Sequence, residues 1–149
     1  MNSYEFSVPV IVVGGGACGA VAALAAHDAG AGVIVIERDE RPMGTSAMSQ
    51  GVFCAAGSRF QREAGIDDSP EIFFDDIMTK TRGTADPVIA RMLAAHSAPT
   101  LEWLCDKHGF PWELNRQFRA AYGSTRDRVH GWAGHAGEDM MQWLHRRLG

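Results

Sequence analysis

Several features are scarce in this chain of 149 residues, and each scarcity narrows what the protein can be. It has only three cysteines, Cys18, Cys54 and Cys105, at scattered positions. An odd number without a spacing framework argues against a disulfide-stapled module and for reduced thiols in an intracellular, cytoplasmic protein. There is no long basic run and the net charge is −4, so nucleic acid finds no electrostatic footprint. No apolar stretch approaches the ~20 residues of a membrane span. The N-terminus carries Glu5 and no basic n-region, and its apolar run leads directly into glycines, as in a core strand rather than a signal peptide. Cys105 and His108 have no second cluster with which to complete a metal site, so no metal is expected. What remains is globular in composition: 46% of residues are hydrophobic and 21% charged, enough for one domain with a sizeable core.

The most informative stretch runs from Val8 to Glu37. An apolar, β-branched run, Val8 to Val13, is stopped by Gly14-Gly15-Gly16-Ala17-Cys18-Gly19. An alanine-rich helix is expected from Ala17 to Ala29, with Gly30 as its cap and His27 as a solvated cation at its end. A second buried strand, Val33 to Ile36, ends in the acid Glu37. Strand, glycine turn, helix, strand and acid make the dinucleotide-binding βαβ unit. Gly14 permits the tight turn, Gly16 lets a pyrophosphate approach the backbone, and Gly19 lets the helix pack on the strand. The free N–H groups of the first helical turn favour the phosphates. Glu37, about 20 residues past the glycines, can accept from a ribose 2′-OH and would repel a 2′-phosphate. NADP is thereby disfavoured, and NAD or FAD remains. The competing reading, glycines that only make a turn, does not account for three of them in this arrangement. Cys18 at a helix N-terminus is open to a redox role, but a small residue filling the turn is the better account.

The next stretch, Arg38 to Gly57, is rich in small and hydroxyl residues with spaced glycines. It neither alternates like a strand nor repeats like a helix, which suits a loop whose backbone and hydroxyls approach a ligand. Met43, Met48, Val52, Phe53 and Cys54 are too apolar for a plain surface loop. A simple NAD domain does not need such a loop, so FAD is favoured.

The glycine fingerprint, the strand ending in Glu37-Arg38 and the loop Gly44-Thr45-Ser46-x-x-Ser49-x-Gly51 together resemble the N-terminal FAD-binding segment of the fumarate reductase/succinate dehydrogenase flavoprotein family. That family includes soluble fumarate reductases, 3-ketosteroid dehydrogenases and tricarballylate dehydrogenase-like enzymes. The resemblance implies that the turn Gly14, Gly15, Gly16, Ala17, Cys18 and Gly19 holds the pyrophosphate, and that Glu37, with Arg38 beside it, holds the adenosine ribose. Gly44, Thr45, Ser46, Ser49 and Gly51 would line the ribityl chain and the flavin. The family usually has Gly-Gly where this chain has Met43-Gly44. Members that attach FAD covalently do so through a histidine in this loop. No histidine lies between Arg38 and Phe60, so noncovalent FAD is implied.

Beyond the loop, Ser69-Pro70 and Asp86-Pro87 are helix starts, each a cap followed by proline at the first helical position. The first helix is expected to reach about Arg82. The second carries the stripe Val88, Ile89, Met92 and Leu93 to His96. Ser97-Ala98-Pro99 should interrupt it before it resumes to His108, where Gly109 stops it. Phe110 to Leu114 reads as a short extended segment, and Gly137 to Leu148 as a helix. Between them, Arg116, Arg119, Tyr122, Arg126, Arg128, His130, Trp132 and His135 stand among glycines. They form either an anion-binding loop for a substrate carboxylate or a solvated connection. In the family an Arg-x-His segment before a Gly-started helix lies near the flavin, and Arg128-Val129-His130 resembles it. His130 is thus an active-site candidate, with His135 second; no residue is assigned as catalytic.

The fold class expected is α/β, an incomplete Rossmann-type FAD-binding domain with a βαβ unit plus a helical excursion in a truncated chain. Residues 1–149 would be its N-terminal part, without the substrate-capping domain. The parent would be an FAD-dependent oxidoreductase reducing or introducing a C=C bond beside a carboxylate or carbonyl. It would take a small-molecule substrate and an electron partner of unknown kind; the chain alone would be inactive. Another FAD enzyme class, such as a monooxygenase or amine oxidase, and a nonenzymatic dinucleotide-binding fragment are the alternatives.

Overall fold

Strands β1 (Val10–Val13) and β2 (Val33–Ile36) pair in parallel in the computed structural model of the chain, joined through helix α1 (Ala17–Asp28). The structure describes residues 7–40, 44–116, 123–131 and 136–148. These residues divide into two compact units, Met1–Gly51 with Ala136–Gly149, and Val52–His135.

In the first unit the pairing runs in register from Val10↔Val33 to Val13↔Ile36, and Gly14 N–H extends it by donating to Ile36 O at 2.8 Å. Ala20, Ala23 and Leu24 form the buried face of α1. Their small volume brings the helix close to the sheet, and Gly19 is where the approach is tightest. A Cβ at Gly19 would collide with Gly14 O and stand 3.1 Å from Val12 Cγ1. A short helix, α2 (Thr45–Met48), occupies what the sequence reading leaves as irregular loop. Helix α6 (Gly137–Leu148) packs on α1 and α2 through Met140, Met141 and Leu144, a helical stripe. Its Gly137 N–H donates to Ser49 O at 2.8 Å, and a Cβ there would lie 2.6 Å from that same oxygen. The βαβ unit and α6 thus match their sequence expectations to within a few residues.

The second unit is built on the antiparallel sheet β3 (Phe53–Cys54), β5 (Val129–Gly131) and β4 (Glu113–Leu114), with β5 in the middle. Helix α3 (Arg59–Glu63) starts at a capping box of Ser58 and Gln61. Helices α4 (Pro70–Lys80) and α5 (Pro87–His108) begin where Ser69 and Asp86 cap them, and α5 ends at Gly109 in the left-handed region. Two differences from the sequence expectation stand out in α5. It runs unbroken through Pro99, and its buried face is Ala90, Ala94, Ala98, Leu101 and Leu104, while Val88, Ile89, Met92 and Leu93 are exposed. Packing decides both. Helix α5 packs on α4, and its buried alanine face continues past Pro99 without a shift in phase. Ser97 Oγ adds a fixed point there, accepting from Ala56 N and donating to Ala94 O.

Arg128 and His130 sit at the centre of this unit, 1% and 0% exposed. The guanidinium pairs with Asp68 through Nε (2.7 Å) and Nη2 (2.9 Å), and with Asp76 through Nη1 (2.5 Å). Its Cζ lies 4.7 Å from the centroid of the Phe73 ring. Burial raises the Asp76 carboxyl, but the Thr125 backbone N–H, Arg128 and the Thr125 hydroxyl outweigh it, leaving Asp76 below the usual carboxylate range. The His130 ring donates from Nδ1 to Arg128 O and accepts at Nε2 from the Ser58 hydroxyl, both at 2.8 Å.

Replacing Arg128 by Met leaves two carboxylates buried without their cation and should cost about 3–5 kcal/mol, measured by urea unfolding. Burial, opposed by the Arg128 carbonyl, holds His130 below its ordinary pKa. As pH falls below about 6.5 the unfolded chain takes up a proton that the folded ring resists, so stability falls. His130→Gln should flatten that acid-side slope of the thermal midpoint relative to the wild type.

Candidate dinucleotide-binding site

The glycine turn assigns a different job to each glycine. Gly14 sits at φ +103, a left-handed conformation that favours glycine. Gly19 is a packing glycine, as described. Gly16 is open: a Cβ there would meet only Ser46 Oγ, at 3.7 Å. The absent side chain of Gly16 therefore leaves space instead of relieving a clash, which is what a bound pyrophosphate requires. Gly16 is also the residue before α1; it has no side chain to cap the helix, no acid occupies the first turn, and of the first N–H groups only that of Ala17 is taken, by Ser46 Oγ. The positive end of the helix is thus left for an anion.

Glu37 follows β2 directly, and the parallel register sets it beside the turn. Its Oε2 accepts from Gly15 N–H at 2.6 Å, and Oε1 accepts from Arg38 N–H (2.7 Å) and Asp39 N–H (3.0 Å). These backbone donors, Asp39 first, then Gly15 and Arg38, hold the exposed carboxyl below the usual range. A carboxylate has about four acceptor positions, so with three taken it can still receive a ribose hydroxyl. Its fixed negative charge opposes a 2′-phosphate.

The loop after Glu37 divides. Ser46 Oγ accepts from Ala17 N–H at 3.2 Å, which brings Ser46 to the turn itself. Ser49 builds the loop, donating to Ser46 O at 2.7 Å and accepting from Gly51 N–H at 3.1 Å. Gly51 adopts φ +63 against Ala136. Gly44 precedes α2, and Thr45 and Cys18 are exposed. Arg38 pairs with Asp39 at 3.2 Å. Met43, Arg119, Tyr122, Trp132 and His135 lie outside the described residues. Arg128, offered by the sequence to a substrate carboxylate, is instead committed to Asp68 and Asp76. Arg126 donates to Asp67 O and Thr125 O. Both nitrogens of His130 are engaged, so the buried ring has no vacant position for proton transfer. Among the described residues no group of three or more His, Cys, Asp or Glu could hold a metal, and no helix is long and apolar enough to cross a membrane.

One contact has no signal in the sequence. His145, on α6, places Nε2 2.6 Å from Gly15 O.

A turn of this kind, closed by a charged Glu37 and followed by a hydroxyl-bearing loop, fits a dinucleotide without a 2′-phosphate. Residues 9–148 match the family model described as FAD binding domain. The chain belongs to this FAD-binding domain family. FAD is therefore the cofactor of this FAD-binding domain, and the α/β fold class stands. The chain is 37% identical over 98 residues to the fumarate reductase (cytochrome) of Shewanella frigidimarina, covering 66% of this chain and 17% of that one. It is 29% identical over 122 residues to the urocanate reductase of Eggerthella lenta, covering 82% and 20%. The open conformation of a flavocytochrome c3 fumarate reductase superposes with a TM-score of 0.83 at 32% identity, covering 96% of this chain and 25% of that one. The chain thus spans about a fifth of the curated relatives.

Neutralising Glu37 removes the charge-assisted bonds at the turn. Glu37→Gln is expected to weaken FAD binding about tenfold or more, read from flavin fluorescence on titration.

Proposed function

We propose that this chain is the N-terminal, cofactor-binding part of an FAD-dependent oxidoreductase that reduces or introduces a C=C bond beside a carboxylate or carbonyl. The observation that carries the reaction class is the 37% identity to a fumarate reductase, whose named substrate is an alkene flanked by carboxylates. The turn and Glu37 support a dinucleotide without a 2′-phosphate independently of that relative, and the family match makes it FAD.

In this proposal the open backbone at Gly14, Gly15, Gly16 and Ala17 takes the pyrophosphate, with the first-turn N–H groups of Cys18 and Gly19 behind it and Ala17 N–H held by Ser46 Oγ. Glu37 accepts from the adenosine ribose, and Arg38 flanks it. Gly44, Thr45 and Ser46 lie on the flavin side of the pyrophosphate, while Ser49 and Gly51 hold that loop in shape. When bound, FAD supplies hydride donation or acceptance. The residues of this chain bind and orient it. We assign neither proton transfer nor substrate recognition to them, and His130 serves as a structural histidine. The cofactor is held noncovalently, in a cytoplasmic protein with a small-molecule substrate and a separate electron partner. Residues 1–149 form part of one FAD-binding domain, and the substrate-capping domain is not among them.

Titration with FAD, NAD and NADP, followed by fluorescence and calorimetry, tests the cofactor. FAD should bind, NADP should not, and acid precipitation should release all the flavin into solution. Tight NAD binding without FAD binding would overturn the flavin reading, and flavin retained on the precipitated protein would overturn noncovalent attachment.

A further inference from the structure

The contact between His145 and Gly15 joins two parts of the first unit that lie 130 residues apart in sequence. A carbonyl oxygen only accepts, so Nε2 of His145 carries the proton and donates it to Gly15 O. That carbonyl belongs to the peptide linking Gly15 to Gly16. With glycine on both sides, rotation of this peptide plane meets no Cβ and has little intrinsic steric cost. The Gly15–Gly16 peptide is trans, so the carbonyl of Gly15 and the N–H of Gly16 point in opposite directions. Holding the carbonyl toward α6 therefore sets the direction in which the Gly16 N–H is offered.

The neighbouring bonds fix the rest of Gly15. Its own N–H donates to Glu37 Oε2, so the residue is tethered at one end by the carboxylate and at the other by the imidazole. Ser46 Oγ holds the next peptide through Ala17 N–H, which leaves the Gly15–Gly16 peptide itself to His145. Helix α6 is a firm support for it, seated by Met140, Met141 and Leu144 and tied at its start by the bond from Gly137 N–H to Ser49 O. His145 also lies in the last turn of α6, where the helix dipole favours a positive or proton-donating group.

We infer that His145 is a positioning residue for the dinucleotide: it fixes the orientation of the Gly15–Gly16 peptide and so presents the Gly16 N–H to the pyrophosphate of FAD. This rests on the FAD-binding reading above. It differs from a bond that only staples α6 to the turn. A staple would contribute to stability in the ligand-free protein, whereas a positioning bond changes the environment of the phosphates.

The test uses the wild type, His145→Phe, which keeps a flat ring without the donor, and His145→Gln, whose amide can donate in its place. Three quantities are measured: FAD affinity, the 31P chemical shifts of the bound pyrophosphate, and the ligand-free thermal midpoint. H145F is expected to weaken FAD binding about fivefold to tenfold and to move the 31P resonances, with a smaller effect on the midpoint. H145Q is expected to recover most of the affinity and the wild-type resonances. If H145F does not fold, His145→Asn, a donor too short to reach Gly15 O, replaces it with the same expected outcome. A wild type that binds no FAD overturns both this inference and the proposed function. A wild type that binds, beside an H145F (or H145N) with unchanged affinity and 31P shifts, overturns this inference alone. Equal losses of affinity and midpoint in the donor-free variant and H145Q, with 31P shifts unmoved, assign the bond to stapling and overturn it too.

Discussion

The close approach of α1 to β1 at Gly19 is the constraint on which the dinucleotide site depends. Any side chain at Gly19 meets the carbonyl of Gly14 and the Val12 side chain, and would push the helix away from the strand. The helix start would then leave the turn, and its unpaired N–H groups would no longer face the space beside Gly16. The same strand sets the acid. Because Val13 pairs with Ile36, the next residue of each strand continues the ladder, and Gly14 N–H reaches Ile36 O. Glu37 is then one residue beyond, where its carboxylate meets Gly15 N–H. Helix packing and strand register therefore fix the pyrophosphate side and the ribose side of the site together.

Much of this was legible in the sequence because the interactions are local and each has few residue types that satisfy it. Only glycine suits φ +103 at Gly14 and the contact at Gly19, and the spacing to Glu37 follows from one helix and one strand. Caps at Ser69 and Asp86 are similarly local, and both helices begin where those residues predict. Legibility failed where a distant partner decided the outcome. Pro99 reads as a break, but α5 keeps one continuous buried face, largely alanine, on both sides of it. Val88, Ile89, Met92 and Leu93 outrank those alanines in hydrophobicity and are nevertheless exposed. Close helix contact selects small volume, which periodicity of large apolar residues does not report. His145 carries no motif at all, since its partner is a backbone carbonyl at the other end of the chain.

Arg128 illustrates the same limit for charge. An arginine among glycines and histidines looks like a site for an anionic substrate, and the chemistry of the guanidinium is the same in either role. What separates the roles is whether carboxylates from elsewhere in the chain already fill its donors. Here Asp68 and Asp76 do so, and Ser124 Oγ takes a further bond at 2.9 Å. A buried arginine with fewer partners would carry a large desolvation cost; with these partners it ties β5 to α4 and to the segment before α4. His130 and Ser58 extend that network to the start of α3. The second unit thus has a buried polar network at its centre beside its apolar residues.

The first unit works differently. All four residues of β1 are apolar, the pattern of a strand with two apolar faces. Helix α1 covers one face, while Ile11 and Val13 on the other are 60% and 83% exposed. Among the described residues no element covers that second face. Helix α6 lies on the helical side. It packs on both α1 and α2 and reaches Gly15 through His145, bracing the pyrophosphate turn and the hydroxyl loop against one support. Ser46 links the same two segments directly through Ala17 N–H. The turn is therefore fixed both by the two strands that define its motif and by a helix some 130 residues further along, through His145.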